Sequence, residues 1–363
     1  LLNVPYWEQT AFSEEMINRA GGLSHAYPSG TPDRKNRQTE RDVVLLSVRS
    51  WEEDEQTFRE KIAEYHDKGW RITLIASRAG RPDDFDQWPI EHFIDNGAPS
   101  GAAAHGRINV LINCAIGWMW CSEYVAAMTR EGKIPGILVS IMYDDAKAHN
   151  RKIQTPEGRH WIGDCEHPIP AGQLARTYHD RVRKLVTDLK SRHIQQQLDS
   201  AAQVVVERIN AGKTVGLAGM GHLIMHEPME DDVQSPVVTF MGVRTRNFKR
   251  KLDPGDLLVW LAYMGMNSSY VDYAGKIEDA GLDLVTSYAP APPDYETQQD
   301  NLADIHTEPR NRLAHIDQPW LIGDAEVNLP CDPGSMAPVS GICRTLIFRM
   351  LDDAIAAGLD EDE

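Results

Sequence analysis

Short apolar runs alternate along the chain with stretches of helical periodicity, and this alternation predicts parallel sheets covered on both faces by helices. The second half is the clearer. A strand is expected over 214–218, and the Gly-rich turn Gly219-Met220-Gly221 should lead into a helix beginning near His222. A second strand follows over 237–243 and a turn at Asp253-Pro254-Gly255-Asp256. The third strand, 257–262, is apolar throughout, as a central strand buried on both faces should be. It runs into the loop Tyr263-Met264-Gly265-Met266-Asn267-Ser268-Ser269, where Ser268 or Ser269 is placed to cap the next helix. That helix should stop at Gly281, with strands at 284–287 and 320–322 and a long helix after Pro338.

The first half repeats part of this order. Asp42-Val43-Val44-Leu45-Leu46 corresponds to the segment 256–260, and 69–75 to 281–287, at an offset of about 212 residues. A third match pairs 93–98 with 320–325, each ahead of an apolar helix. Between the halves, 173–210 reads as charged connecting helices with Ala201, Val204, Val205 and Ile209 on one face. The expected division is a first domain over 1–150, a connecting segment over 151–195, and a second domain over 196–363.

Composition narrows the function classes. A chain of 363 residues with 42% hydrophobic content buries a real core, and its length favours two domains. A net charge of -17 argues against a protein that covers a phosphate backbone, so no nucleic-acid partner is expected. Cys114, Cys121, Cys165, Cys331 and Cys343 form no CxxC pair, which favours reduced thiols and a cytoplasmic protein. No uninterrupted apolar run reaches the roughly 18 residues of a membrane span, and no membrane partner is expected.

Several of these segments resemble the SIS (sugar isomerase) family of phosphosugar isomerases and phosphosugar-binding domains. Gly219-Met220-Gly221-His222 resembles that family's first strand-to-helix turn, and Pro254-Gly255-Asp256-Leu257-Leu258-Val259-Trp260 the approach to its ligand loop. Arg19-Ala20-Gly21-Gly22-Leu23 resembles the end of its first helix, and Ile94-Asp95-Asn96-Gly97-Ala98-Pro99 a late strand. The resemblance implies two α/β, flavodoxin-like, three-layer domains with parallel sheets. The ligand would lie beyond the carboxyl ends of the strands, and a homodimer is expected.

The family's phosphate loop, roughly Ser-x-Ser-Gly-x-Ser/Thr, is incomplete in both halves. Ala262-Tyr263-Met264-Gly265 keeps the glycine without the hydroxyls, whereas Val48-Arg49-Ser50-Trp51 keeps one hydroxyl without the glycine. Arg49 offers a bidentate fork, and Asn267, Ser268 and Ser269 stand where a helix should begin. The acidic run 52–55 suits a helix dipole but repels phosphate, which favours a neutral sugar or a site with a cation. The glycine turn expected ahead of Glu14 and Glu15 would fall at 1–7, where there is no glycine. That loop is either degenerate or upstream of Leu1.

Aldose–ketose isomerisation needs a base to move a proton between adjacent carbons and a group to assist ring opening. His222, His226 and Glu227 supply both chemistries beside the glycine turn, although Pro228 disfavours helical geometry at Glu227. With Glu230, Asp231 and Asp232 they invite a metal reading, but without an HExxH signature no metal is expected. Gly117-Trp118-Met119-Trp120-Cys121-Ser122-Glu123 combines aromatic faces that stack on sugars with an acid inside an apolar helix. Core packing accounts for at least one of those tryptophans. Thr129, Arg130 and Lys133 are further anion-contact candidates.

The candidate ligand set is therefore Ser47, Arg49, Ser50, Gly219, Gly221, Tyr263, Gly265, Asn267, Ser268 and Ser269, with no cofactor. Three readings stand: a sugar or sugar-phosphate isomerase, a regulatory protein that senses a carbohydrate derivative, and a nicotinamide-dependent dehydrogenase. The last lacks support, because Gly216, Gly219 and Gly221 leave the third glycine of the dinucleotide fingerprint missing.

Overall fold

The computed structural model describes residues 2–4, 10–27, 42–98, 103–140, 145–154, 163–223, 239–240, 251–262, 267–268, 271–290, 309–321, 323, 325–330 and 334–360. The chain forms two compact units, one of Leu1–Asp180 with Ala325–Pro338, the other of Arg181–Asp324 with Val339–Glu363.

In the first unit β1 (Leu2–Asn3), β2 (Ala26–Tyr27), β3 (Val43–Ser47), β4 (Arg71–Ala76) and β5 (His92–Asp95) form one parallel sheet in the order β2-β1-β3-β4-β5. Val44, Leu46, Ile72, Leu74 and Ala76 share one face, which packs on Phe58, Ile62 and Tyr65 of α2 (Trp51–Asp67). Leu45 and Ile75 of the opposite face are buried as well. Because both faces are covered, the strands read as continuous apolar runs rather than alternating ones.

Across from α2 runs α3 (Ala103–Arg130), which packs against β4 and against α1 (Thr10–Met16). At the crossing with α1, a Cβ on Gly117 would sit 2.8 Å from the Met16 sulfur and 3.1 Å from the Phe12 ring, so glycine sets the helix separation. Inside it, Arg19 pairs with Glu15 at 2.5 Å, and Trp118 Nε1 donates to the same carboxylate at 3.2 Å. Over 108–130, α3 is long and apolar enough to cross a membrane by length and composition. Polar residues interrupt that stretch, which is why no apolar run stands out in the sequence. In this unit α3 is a core helix, with Trp118, Cys114, Cys121 and Val125 buried to 1% exposure or less.

The first unit is completed by α4 (Ala146–Ile153) and an antiparallel pair, β6 (Lys133–Ile134) with β7 (Gly163–Asp164). Helix α5 (Gln173–Leu189) then carries the chain into the second unit, whose first complete helix is α6 (Arg192–Asn210). Its buried stripe is Ile194, Leu198, Ala201, Ala202, Val205 and Val206; Val204 and Ile209 of the expected face are only partly buried. Ser191 caps α6 by accepting from the Ile194 N–H.

The second sheet repeats the first. β8 (Val215–Met220), β9 (Thr239–Phe240), β10 (Leu257–Ala262), β13 (Asp283–Tyr288) and β14 (Arg312–Asp317) are all parallel, in the order β9-β8-β10-β13-β14. Numbered within each unit, both sheets read 2-1-3-4-5, the doubly wound order of flavodoxin-like folds. β10 is central and buried along its whole length, as its sequence predicts. Leu258, Trp260 and Ala262 pack on Ala274 and Ile277 of α7 (Ala274–Glu278), while α6 and α8 (Ser340–Asp360) contact β8 and β10. The expected α/β fold with three layers is the fold found in each unit.

Three expectations about elements are corrected. The fifth strand is not 320–322: Trp320 lies in a bend, Leu321 is irregular and Ile322 lies outside the described residues, and β14 occupies 312–317. As an edge strand it leaves Leu313 44% exposed while Ile316 is buried, so it lacks a continuous apolar run. The third repeat match therefore moves. Asp95 pairs with Ala76 and Asp317 with Tyr288, so Asn96 corresponds to Gln318. Ser268 does not begin a helix; Asn267–Ser268 forms β11, paired antiparallel with β12 (Val271–Asp272), and α7 starts at Ala274.

The remaining hairpin, β15 (Ala325–Asn328) with β16 (Ser335–Pro338), follows β14 in sequence but belongs to the first unit. It is anchored by Ala337 N–H donating to the Gly21 carbonyl at 2.9 Å and Tyr178 Oη donating to the Pro338 carbonyl at 2.8 Å. Gly21, at φ +79°, leaves no room for a side chain: a Cβ there would meet Pro338 Cδ at 3.1 Å and Ala325 Cβ at 3.2 Å.

Candidate functional site

Doubly wound sheets place ligands outside the carboxyl ends of their strands, at the point where the strand order reverses. In the first unit that point lies between β1 and β3, and in the second between β8 and β10. Ser47 is the last residue of β3 and is buried, while Arg49 and Ser50 follow it half-buried. Gly219, Gly221 and His222 lie at the end of β8. These six of the sequence-derived candidates thus stand at the switch-point edges of their own units. His226, Glu227, Tyr263, Gly265 and Ser269 lie outside the described residues, and Asn267 and Ser268 are in β11.

Amide side chains hold the loop after β3. Asn113 of α3 donates from Nδ2 to the Val48 carbonyl at 2.9 Å, and Asn109, one turn earlier, donates to the Arg49 carbonyl at 2.8 Å. Asn96, just past β5, supports Asn113 with a 2.9 Å hydrogen bond to its Oδ1. Trp51 Nε1 donates to the Ser77 carbonyl at 2.7 Å, which ties the start of α2 to the end of β4. No sequence signal pointed to Asn109 or Asn113, because an asparagine within an apolar helix shows its purpose only when its partner is known.

In the second unit the glycine turn is shorter than expected. Gly219 and Met220 still pair with Leu261 and Ala262, so the strand persists until Gly221. Gly221 has φ +141°, a conformation that L side chains rarely adopt. The buried Arg344 guanidinium lies against it, such that a Cβ would fall 2.1 Å from Nη2. Arg344 also donates from Nε to the Ser340 carbonyl at 2.9 Å and from Nη2 to Ser340 Oγ at 3.2 Å, which fixes the fork at the start of α8. The glycine therefore makes room for a cation. Beyond β14, Gln318 reaches across to donate from Nε2 to the Ala262 carbonyl at 3.0 Å and to Ser287 Oγ at 3.2 Å.

The aromatic helix segment has structural duties. Trp118 is fully buried; Trp120 stacks on Tyr124 with ring centroids 6.0 Å apart. Glu123 accepts from the Gly172 and Ala175 N–H groups at 2.6 and 3.1 Å and so caps the start of α5 from a neighbouring helix. Thr129 Oγ1 donates to the Ala126 carbonyl and accepts from the Ile169 N–H, and Arg130 donates to the Ile169 carbonyl, so backbone occupies both. Cys114, Cys121 and Cys343 are buried, and burial pushes Cys121 up to about 12, far from a nucleophile's range. Among the described residues, no group of three His, Cys, Asp or Glu side chains is placed to hold a metal ion.

No protein-family model matches the chain, and no curated protein matches it in sequence. Solved structures do align with it. The C-terminal domain of glucosamine-fructose-6-phosphate aminotransferase from Francisella tularensis aligns over 99% of this chain and 83% of its own, at 9% identity and a TM-score of 0.49. Glucosamine-6-phosphate deaminase from Thermotoga maritima aligns over 98% and 85%, at 9% identity and a TM-score of 0.41.

Proposed function

We propose that this is a tandem SIS-type protein that binds a sugar or sugar phosphate and acts on it as an aldose–ketose isomerase. One observation carries the reading: both units have the 2-1-3-4-5 order, and residues singled out from sequence alone stand at the switch-point edge of each. Arg344 against Gly221 sets a buried positive group behind the second unit's edge. The catalytic base and ring-opening group in this reading are Glu227, His226 and His222. The protein works as a cytoplasmic homodimer.

The alternative is a sensor that binds the same ligand without turnover, and it is favoured by the loss of a different part of the phosphate loop in each half. Incubation with a panel of hexose 6-phosphates, following aldose–ketose interconversion by NMR, separates the two. Interconversion that disappears in Glu227→Gln supports the isomerase. Tight binding without interconversion supports the sensor, and neither binding nor turnover overturns both.

A further inference from the structure

Helix α3 carries no charged residue between 108 and 122, and apart from Asn109, Asn113 and Ser122 its side chains there are apolar. A helix that is apolar on every side calls for cover on every side. Towards the rest of its unit it has that cover, with Val110, Leu111, Cys114, Trp118 and Cys121 buried. On the remaining side Ile112, Ala115, Ile116, Met119 and Trp120 are only half-buried, and Ile108 is 52% exposed. These six recur at helical spacing and form one stripe.

The second unit shows what such a side is built to meet. There α8 follows the fifth strand as α3 does in the first, and α6 packs on both α8 and β14. The approach is close: a Cβ on Gly358 of α8 would sit 3.0 Å from Val206 Cγ2 of α6. Ile316 of β14, paired with Ser287, is fully buried. Its equivalent in the first unit is Ile94 of β5, paired with Ile75 on the sheet face opposite α2, and Ile94 is half-buried. Among the described residues of the first unit, no helix packs on α3 and β5 together as α6 packs on α8 and β14.

We propose that this stripe of α3, with Ile94 beside it, is where two copies of the chain associate, α3 of one copy packing on α3 of its partner about a twofold axis. A twofold contact must be self-complementary, and an uncharged apolar stripe satisfies that with itself. Charge selects the same occupant. Two chains of net charge -17 repel each other over most of their surfaces and meet most readily where charge is absent. The first charged residue along the stripe is Glu123, whose carboxylate already caps α5. One helix pair is a small interface, below about 1,200 Å², so the dimer is concentration-dependent. The inference gives the homodimer of the reading above its surface, and it is independent of the sugar bound.

The test is sedimentation equilibrium of the full chain over a concentration series. Wild type should move from one chain's mass toward twice that mass as concentration rises. Raising salt from about 0.05 to 0.5 M should tighten the dimer, because screening weakens the repulsion and leaves the apolar contact in place. Ile108→Glu and Ile116→Glu should each raise the dissociation constant more than about 10-fold, since the twofold sets each new carboxylate in the interface twice. Ile108 is exposed, so its variant keeps the fold even if Ile116→Glu does not, and circular dichroism checks both. Leu313→Glu, at an exposed apolar residue of the second unit, should leave the dimer unchanged. A dimer that survives Ile108→Glu, that Leu313→Glu weakens equally, or that salt dissociates overturns this inference alone. A wild type that stays monomeric at every concentration overturns the homodimer and this surface together, and leaves the sugar reading to its own test.

Discussion

At the second unit's edge Gly221 has a conformation that L side chains rarely adopt. Gly221 combines φ +141° with a guanidinium pressed against its Cα, so Gly221→Ala meets both backbone strain and a clash with Arg344. The expected cost is about 1–3 kcal/mol, read as a lower Tm in thermal unfolding. An unchanged Tm would mean that the Arg344 fork moves freely and is not fixed by Ser340. Glu123 illustrates the opposite lesson. Its isolation in an apolar helix marked it correctly as a residue that needed an explanation, and the explanation is a helix cap. The switch-point candidates Ser47, Arg49, Gly219 and Gly221 were legible because strand-end loops carry their own local chemistry. Asn109 and Gln318 were not, because their significance lies in carbonyls distant along the chain.

At the scale of elements, strands buried on both faces were plain in the sequence and edge strands were not. β3, β4, β10 and β13 fall within a residue or two of their expected positions, since nothing but a covered parallel strand calls for such runs. β14 was displaced because its outward side chains are polar or exposed, and the apolar Trp320-Leu321 beyond it drew the assignment. That edge strand is pinned to α6 instead. Gln197 and His193 donate to Asp317 Oδ2, both at 2.9 Å, and the Asp317 N–H donates to Gln197 Oε1 at 3.0 Å. Burial raises the Asp317 pKa, but the hydrogen bonds from Gln197 and His193 and the charge of His315 outweigh it and hold it below the usual carboxylate value. A depressed native pKa gives stability that is present above the unfolded value near 4 and lost as pH falls through the native one. Asp317→Asn should therefore lower Tm at pH 6, and the gap from wild type should close below about pH 4. A gap that stays constant from pH 6 to pH 3 would refute this role.

For the whole molecule, the two units share a plan but not a simple division of the chain. The hairpin of β15 and β16 comes from the second half of the sequence and completes the first unit, where it rests on Gly21 and Tyr178. Replacing 325–338 by a short Gly-Ser linker should raise amide hydrogen exchange across α1 and α3, while the protection of β10 and β13 is retained. Equal loss in both units, or none, would count against this assignment. The arrangement also bears on how the protein is made. A ribosome releases the chain from its N-terminus at about 5–20 residues per second. The first unit must therefore wait for most of the second to be synthesised before its last piece arrives, an interval on the order of ten seconds. Until then the seat for the hairpin stays open, so the half made first is completed late, and truncated transcripts ending before 338 leave it unfinished.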